Sequence, residues 1–381
     1  MNPLRVLHCP TSVGGHAGAL ATAERRLGLE SWSVTFRPSP FGFGSDEVLA
    51  PEGSALWRAE LARWRLLWRA IRDFDVIHFN FGRTILPSLD SRATVRRAIG
   101  PFPARLYTAL AGLLEYRDLP LLRRFGKTIA VTFQGDDARQ GDVCQRRFRV
   151  HPGLGVEPGY YTPADDDRKR RIIRSFDHYA DLLYALNPDL LHVLPARARF
   201  LPYAHIDPKR TPVLGVCPEG SRPPVVMHAP THRGIKGTRI LLEALDRLKQ
   251  QGCRFELVLV EGLSHSEAME RFRRADLLVD QLLVGFYGGI AVELMAMAKP
   301  VVCYLRPEDL GFLPDAMARE LPIIRAEPEG LARTLRPWLE GPRERLVERG
   351  SAARRFVERW HDPSSVAARL AADYRRVGPP C

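Results

Sequence analysis

The stretch from Gly285 to Val302 carries the residues best suited to binding a phosphorylated ligand. Three glycines, Gly285, Gly288 and Gly289, precede a run of small apolar residues that contains one carboxylate, Glu293. Glycines before a helix expose backbone N–H groups at the positive end of the helix dipole, which favours a phosphate. Glu293 follows one turn later, where it can accept hydrogen bonds from a ribose diol. The pattern predicts a nucleotide site, and plain packing of a small-residue helix on a sheet is the alternative.

The loop His228–Thr238 is a second candidate for phosphate binding. It follows an apolar run and carries two cations, Arg233 and Lys236, beside Gly234 and Gly237. Negative charge grows on a diphosphate as it leaves, so cations fixed there stabilise the transition state more than the ground state. The alternative interpretation is a basic turn exposed to solvent.

A glycine turn follows the first predicted strand. Gly14 and Gly15 permit close backbone approach, and the start of the next helix attracts anions. The spacing differs from G-x-G-x-x-G, so simple chain reversal stays open. Two roles also stay open for His16, a contact to the substrate and a cap on the helix.

Polar residues follow the predicted strand Lys127–Phe133. Gln134 and Asp136 lie where the carboxyl end of a strand presents groups to a ligand, so we expect them to bind substrate hydroxyls. The pair Asp136 and Asp137, without histidine or further carboxylates nearby, is weak support for a metal, and we predict no metal site. For His78, at the end of a neighbouring strand, a contact on this surface and a buried histidine satisfied by backbone both stay open.

Length and composition indicate a globular protein. The chain has 381 residues, which allows two domains of roughly 150–200 residues each. An apolar fraction of 45% and a charged fraction of 26% are typical of such proteins. No apolar run reaches the ~18 residues of a membrane span, and the first ten residues turn polar too early for a signal peptide. The six cysteines are scattered without metal-ligand spacing, so we expect reduced thiols and a cytoplasmic location.

The net charge of +12 comes mostly from arginine and is spread over amphipathic helices. Aromatic residues are not interleaved in the way that single-strand binding needs, so we predict no nucleic-acid partner. The predicted helix 56–72 carries a stripe of Trp57, Trp64 and Trp68. We expect this stripe to pack in the core or between domains. Peripheral contact with the inner face of a membrane stays open, because an interfacial helix also needs an apolar face and an arginine face.

Strands and helices alternate along the chain, which predicts a doubly wound α/β fold. Five prolines and two glycines within 205–224 interrupt this alternation and predict a linker. The predicted boundaries are 1–205 for the first Rossmann-like domain, 206–224 for the linker, 225–360 for the second and 361–381 for a terminal helix. Two such domains imply a cleft between them, with ligands at the carboxyl ends of the strands. Within the first domain, a long helix is predicted over about 92–124.

The chain resembles a GT-B glycosyltransferase, similar to glycosyltransferase family 4, in residues 225–305. The family shows an Arg…Lys-Gly pair, then E-x7-E and a Met-Ala-x-Gly-x-Pro-Val-Val-like tail. Arg233 and Lys236-Gly237 match the first element, and Glu293 matches the second glutamate. Residues 295–302 match the tail. The first glutamate falls at Gly285, so this chain lacks it.

The likeness in the first half is looser. Gly14-Gly15 resembles the first glycine loop of the family, and 132–137 resembles its "His-Gly-x-Asp" segment with Gln134 in place of histidine. Residues 355–362 and the helix after them resemble a terminal segment that crosses back onto the first domain. The resemblance implies two Rossmann-like domains facing a cleft, with a C-terminal helix returning to the first domain.

The implied activity is retaining transfer of a sugar from a nucleotide-diphosphate sugar to a glycan, lipid-linked or small-molecule acceptor. Neither a metal nor a resident cofactor is expected. The implied catalytic residues are Arg233, Lys236 and Glu293. The expected donor contacts are Thr231, Gly285, Tyr287, Gly288 and Gly289, and the expected acceptor or sugar contacts are Gly14, Gly15, His16, His78, Gln134 and Asp136.

Two other functions stay open. A nucleotide-sugar epimerase shares this architecture but needs carboxylates that activate water beside the sugar. A catalytically inactive binding protein is the second, because Gly285 and Gln134 depart from the family's pattern. A role in cell-envelope or other polysaccharide biosynthesis is expected only from what such enzymes commonly do.

Overall fold

The computed structural model describes residues 3–39, 42–51, 53–88, 101–217 and 222–378, and every strand pairing in it is parallel. The strands form two separate sheets, one in each half of the chain. Parallel strands joined by helical crossovers are buried on both faces, which is why their sequences are continuous apolar runs.

The first sheet has seven strands in the order β3-β2-β1-β4-β5-β6-β7. The strands are β1 Arg5–Cys9, β2 Glu30–Thr35, β3 Glu47–Val48, β4 Val76–Asn80, β5 Thr128–Phe133, β6 Leu182–Ala185 and β7 Arg199–Phe200. The helices are α1 His16–Arg26, α2 Leu56–Asp73, α3 Pro101–Leu114, α4 Asp118–Arg124, α5 Gly141–Arg147 and α6 Pro163–Tyr179.

The second sheet has five strands in the order β12-β11-β10-β8-β9. The strands are β8 Val225–His228, β9 Glu256–Leu259, β10 Leu277–Val279, β11 Val301–Cys303 and β12 Ile324–Arg325. The helices are α7 Arg233–Lys236, α8 Thr238–Gln250, α9 His265–Arg273, α10 Gly289–Ala296, α11 Pro307–Leu310, α12 Asp315–Glu320, α13 Leu331–Leu339, α14 Arg343–Trp360 and α15 Pro363–Val377.

Each sheet has a point where the strand order reverses. In the first sheet, β1 lies between β2 and β4, so the loops after β1 and β4 leave in different directions. In the second, β8 lies between β9 and β10 in the same way. Open α/β sheets bind ligands in the crevice at this point, outside the carboxyl ends of the strands. The topology therefore predicts ligand contacts after β1, β4, β8 and β10.

Helix α15 returns to the first half of the chain and packs on α1. Its Tyr374 hydroxyl is 2.6 Å from Nδ1 of His78 on β4, and the other ring nitrogen of His78 is 2.7 Å from the Thr132 hydroxyl on β5. Asp373 accepts a hydrogen bond of 2.7 Å from the Tyr184 hydroxyl on β6. These bonds satisfy polar groups that burial would otherwise penalise. They also fix the last helix to β4 and β6 of the first sheet.

Two expectations about the first half were wrong. The helix predicted over 92–124 is two helices, α3 and α4, because the chain turns at Tyr116, whose φ is 61°. Residues 92–100 of that prediction lie outside the described residues. The tryptophan stripe of α2 does not pack inside, since Trp57, Trp64 and Trp68 are 63%, 47% and 61% exposed.

The buried bond between Tyr374 and His78 gives a test of the returning helix. Tyr374→Phe leaves Nδ1 of His78 without this partner in a buried site. We expect the free energy of unfolding to fall by about 1–3 kcal/mol, measured by urea denaturation. Tyr179→Phe removes a hydroxyl from a half-buried tyrosine of the same domain and should change stability far less. Equal effects of the two substitutions would contradict this account of how the helix is held.

Candidate functional site

A cleft of about 580 Å³ lies between the two sheets, and both halves of the chain contribute to its walls. The wall from the first half contains Gly14, His16, Gln134 and Asp136. The opposite wall contains residues that follow β8, β9 and β10. From the predicted site it includes Thr231, Lys236, Gly288, Gly289 and Glu293. The two switch points therefore meet at one cavity, as the strand order requires.

Lys236 lies at the start of α10, where an anion would bind. Its ammonium donates to Oδ1 of Asp280 at 3.0 Å and to Oε1 of Gln281 at 2.8 Å. A Cβ added at Gly288 would lie only 2.9 Å from Nζ of Lys236, so the cation can approach the helix because this residue is glycine. Lysine has three N–H donors, and these partners use two. The third is available to a ligand beside the helix N-terminus.

Asp280 holds this corner together. While Oδ1 pairs with Lys236, Oδ2 accepts a hydrogen bond of 2.6 Å from the backbone N–H of Gly288. The next amides, of Gly289 and Ile290, belong to the first turn of α10, where a helix leaves N–H groups without intrahelical partners. The corner therefore combines a buried cation, a helix start and a carboxylate that orients both.

Arg233 lies at the rim and not on the cleft wall. Its guanidinium is 61% exposed and forms a two-point ion pair with Glu261, at 2.7 Å and 2.5 Å. Glu261 itself lines the cleft. The sequence suggested two cations side by side; the structure places one at the helix start and pairs the other with a carboxylate at the entrance.

Glu293 is buried on the cleft wall between two histidines. Its carboxylate oxygens are each 3.2 Å from an imidazole Nε2, one of His205 and one of His265. Burial raises the pKa of Glu293, but the hydrogen bonds and charges of His205 and His265 outweigh it and lower the pKa to about 2. The carboxylate is therefore charged, and any ribose hydroxyl that binds it must share its oxygens with these rings.

Gly285 and Tyr287 lie behind the cleft wall. A Cβ at Gly285, where φ is 102°, would be 2.6 Å from Nη1 of Arg306 and from Oδ2 of Asp309. This ion pair, itself 2.6 Å long and buried, fills the space that a side chain at Gly285 would need. The Tyr287 hydroxyl is buried 2.9 Å from Nε2 of His361. Both residues therefore pack against other parts of the protein and do not line the cleft.

The glycine turn after β1 places His16 at the opposite wall. Gly14 and Gly15 have φ of 59° and 73°, which glycine adopts without strain, and α1 begins directly after them. Space is open in front of Gly14, whereas a Cβ at Gly15 would meet the ring of Phe43 at 2.7 Å. Gly15 thus permits the packing of Phe43, and Gly14 leaves the backbone open to the cleft.

His16 is a buried neutral imidazole. Its Nδ1 accepts a hydrogen bond of 3.2 Å from the backbone N–H of Ala204, so the ring proton is on Nε2. Burial, and secondarily the nearby histidines, lowers the pKa of His16 to about 3, which keeps the ring uncharged. Nε2 has no hydrogen-bond partner among the described residues. His16 therefore offers one N–H donor and no basic nitrogen.

The loop after β5 holds Asp136 in a network. Its Oδ1 accepts from Arg139 at 2.7 Å and from the Tyr161 hydroxyl at 3.0 Å, and its Oδ2 from the Tyr160 hydroxyl at 2.8 Å. Burial raises the pKa of Asp136, but Arg139 and these hydrogen bonds lower it below its ordinary value. The side-chain amide of Gln134 lies 3.3 Å from Oδ1 of Asn80.

His78 lies inside the first sheet. It is fully buried, and side chains, not backbone, satisfy both ring nitrogens. Burial lowers its pKa well below the ordinary value, so the ring is neutral. The structure therefore brings Gly14, His16, Gln134 and Asp136 together on the cleft wall. Gly15 packs against Phe43 instead, and His78 lies beneath the wall.

Sequence reasoning missed several residues that complete the site. His205 comes from the proline-rich linker, His265 begins α9, and Asp280 follows β10. His205 and Glu293 are 88 positions apart in the chain, so no local pattern joins them. The one signal in the sequence was that His205 is the first residue of the proline-rich stretch 205–224, which joins the two halves beside the predicted cleft.

The described ranges contain neither a side-chain cluster for a metal nor a helix that spans a membrane. No group of three or more His, Cys, Asp or Glu side chains there could hold a metal ion. None of the helices described in the structure has the length and apolar character needed to cross a bilayer.

No protein-family model and no curated protein sequence matches the chain. Solved structures do match along its whole length. Sucrose-phosphate synthase of Thermosynechococcus elongatus superposes with a TM-score of 0.59 at 13% identity, covering 98% of this chain and 99% of that one. Anabaena HepE in complex with UDP-glucose gives 0.57 at 11%, covering 98% and 100%.

A third structure of the same kind is an α-glucosyltransferase in complex with UDP and a DNA 13-mer. Its TM-score is 0.56 at 12% identity, with 97% of this chain and 99% of that one covered. These neighbours are GT-B glycosyltransferases, and at such identities the likeness shows the fold. The predicted fold class is confirmed: two Rossmann-like domains facing a cleft, with a C-terminal helix returning to the first.

The contact between His265 and Glu293 predicts how stability depends on pH. The hydrogen bond and charge of Glu293 raise the pKa of His265 above its ordinary value of 6.5. A raised pKa means that this contribution is fully present below pH 6.5 and is lost as pH rises through the folded value. We expect the urea midpoint to fall as the pH rises above 6.5, and the fall to shrink in Glu293→Gln.

The matched control is Glu267→Gln, which removes a carboxylate near His265 that instead caps α9 through Ser264. This variant should keep the pH dependence of the wild type. An unchanged pH dependence in Glu293→Gln would contradict the assigned contact.

Proposed function

We propose that this protein is a retaining glycosyltransferase that moves a sugar from a nucleotide-diphosphate sugar to a glycan, lipid-linked or small-molecule acceptor, without a metal. The observation that carries the proposal is the corner formed by Lys236 and the start of α10, with Glu293 one turn further along the same helix. The full-length likeness to glycosyltransferases, several of them in complexes with UDP or UDP-glucose, supports a transferase.

The donor's diphosphate would bind against the second wall. The free N–H of Lys236 and the amides of Gly289 and Ile290 supply hydrogen-bond donors, and the helix dipole adds positive potential. From that position the ribose reaches Glu293, whose charged carboxylate accepts hydroxyl hydrogens. Thr231 lies on the same wall, beside the approach to Lys236.

Departure of the nucleoside diphosphate concentrates negative charge on the phosphate next to the sugar. Lys236 and the α10 amides are fixed before reaction by Asp280, so they do not reorganise as that charge develops. Preorganised donors of this kind lower the barrier more than flexible ones. Arg233 supplies a second cation when it exchanges Glu261 for a phosphate oxygen, which needs only a side-chain rotation at the rim.

The cleft's side chains favour retention of configuration over inversion. Inversion needs a base beside the acceptor hydroxyl, and retention by front-face attack lets the departing phosphate take that proton. The lining carboxylates Asp136, Glu261 and Glu293 are each held by cationic or imidazole partners. The Nδ1 lone pair of His16 is already used by the backbone N–H of Ala204, so this ring does not supply the base. We therefore assign the proton of the acceptor hydroxyl to the departing phosphate, which lies beside that hydroxyl in front-face attack.

The acceptor would lie against the first wall. There the open backbone of Gly14, the N–H of His16 and the groups of Gln134 and Asp136 face the donor wall across the cavity. Closing of the two halves about the linker would exclude water and suppress hydrolysis of the donor.

Binding of UDP tests the proposal. Lys236→Ala removes a charge-assisted hydrogen bond, so we expect the dissociation constant for UDP in calorimetry to rise roughly 10- to 150-fold. Lys249→Ala, at an exposed lysine of α8, should leave it unchanged. Wild-type protein that binds neither UDP nor other nucleoside diphosphates would overturn the proposed function.

Arg233 should matter less and in a different way. Because its guanidinium is largely exposed, Arg233→Ala should weaken UDP binding less than Lys236→Ala, and added salt should erase the difference from wild type. A loss equal to that of Lys236→Ala at high salt would show that Arg233 is buried against the diphosphate, contrary to this account.

Incubation with the donor alone separates the enzyme from an epimerase. The transferase should leave UDP-glucose intact over a time in which an epimerase forms an isomer or free UDP, as resolved by ion-exchange chromatography. UDP binding with no turnover for any acceptor would instead favour the inactive binding protein.

A further inference from the structure

The outer face of α2 is apolar and exposed. Trp57, Leu61, Trp64 and Trp68 are 63%, 42%, 47% and 61% exposed. At 100° per residue their side chains fall within about 60° of the helix circumference, along about 16 Å of its axis. Single exposed apolar residues are ordinary, but a continuous stripe marks a contact surface.

Helix α3 adds a second stripe beside the first. Its Leu106, Leu110 and Leu113 are 74%, 51% and 70% exposed and recur at helical spacing. The Tyr107 hydroxyl donates to Oε1 of Glu60 on α2 at 2.7 Å, so the two helices are neighbours. We call these seven exposed residues of α2 and α3 the Trp–Leu face.

Arginines border the Trp–Leu face on one side. Three exposed arginines of α2, Arg58, Arg65 and Arg72, lie within the adjacent sector of about 40° of the helix circumference. Arg105 is exposed on α3. Helix α2 contains five arginines and two acidic residues, Glu60 and Asp73. Both acidic groups are already bound, Glu60 to Arg63 and Asp73 to Arg72. The ion pair with Asp73 neutralises Arg72, so the net positive charge of the border comes from Arg58 and Arg65, with Arg105 on α3.

From this geometry we propose that the Trp–Leu face docks the protein on an anionic lipid bilayer. Tryptophan is suited to the interface, since its ring enters the acyl boundary while its N–H stays with the head groups. The arginine border then meets the negative head groups, and the two helices lie in the plane of the surface. No spanning segment is needed for this mode of binding.

Charge favours a bilayer over a second copy of the chain. Two copies that met through this face in a symmetric dimer would each present the same surface to the other. An antiparallel packing of the two copies of α2 would place their arginine borders on the same side of the interface, where like charges repel. An anionic surface has the complementary charge.

Helix α2 also contacts the segment that contributes to the acceptor wall. Helix α2 runs into β4 from the carboxyl edge of the sheet, and Arg63 donates to the carbonyl of Ile85, just beyond that strand, at 2.9 Å. Phe81, in the same segment, lines the cleft. Resting on the proposed function, the docked orientation would bring the first wall toward the membrane, so the acceptor class we infer is lipid-linked.

Vesicle sedimentation of the full chain tests the docking. We expect binding to vesicles of phosphatidylcholine with phosphatidylglycerol, weaker binding to phosphatidylcholine alone, and release by salt. Combining Trp57→Ser, Trp64→Ser and Trp68→Ser should weaken binding at least about tenfold. Arg58→Gln with Arg65→Gln should abolish the preference for the anionic lipid.

Matched controls lie on other surfaces. Trp32→Ser, at a tryptophan that is 41% exposed, and Arg239→Gln with Arg247→Gln, at exposed arginines of α8, should bind vesicles as the wild type does. The triple tryptophan variant should keep wild-type affinity for UDP, because its substitutions lie outside the cleft. A wild-type protein that does not bind UDP would contradict the proposed function but would not affect the docking proposal.

Two results would overturn the proposal. One is a wild-type protein that does not bind the anionic vesicles, or a triple variant that binds them equally well. The other is a wild-type dimer in light scattering that the triple variant converts to a monomer, which would assign the face to a second copy.

Discussion

The site depends on the contact in which Asp280 holds Lys236 against the start of α10. A lysine ammonium buried alone would be costly, and a free lysine would be mobile; the carboxylate removes both problems by pairing at 3.0 Å. Since the same carboxylate binds the N–H of Gly288 at 2.6 Å, it also aligns the helix with the cation. The cleft is thus charged and ordered before any ligand enters.

The parallel topology explains why this corner faces the right partners. Strands β8 and β10 end at the switch point of the second sheet, which places Thr231 and Asp280 at one edge. In the first sheet the loops after β1 and β4 lie at the switch point, and the loop after the neighbouring β5 adds Gln134 to the same edge. Helix α15, bonded through Tyr374 to His78, ties the end of the second half to the strands of the first. His205, from the linker, reaches Glu293 and so couples the connection between the halves to the nucleotide wall.

The sequence was sufficient for the alternation of strands and helices and for the residues at strand ends, because these depend on local pattern. Lys236, Gly288 and Glu293 were predicted for that reason, and the structure has all three on one wall of the cleft. The pairing of Arg233 with Glu261 was not, since it joins segments from different strands. The filling of the space at Gly285 by Arg306 and Asp309 was equally invisible, because it depends on a contact behind the wall.

The tryptophans of α2 are a second case in which local sequence pattern was not enough. Their spacing was enough to predict a stripe, but which face of the helix the core would cover depends on neighbouring elements. The buried residues of α2 are Leu66, Leu67 and Ala70, and the tryptophan stripe is exposed. Two-residue strands such as β3 and β7 were not predicted because they are too short to show periodicity.

The most direct test of the central claim is a crystal structure of the full chain with UDP. The account predicts the diphosphate at the start of α10, with a phosphate oxygen about 3 Å from Nζ of Lys236 and from the amide of Gly289, and the ribose hydroxyls on Glu293. A diphosphate bound elsewhere, with Lys236 still held only by Asp280 and Gln281, would contradict it.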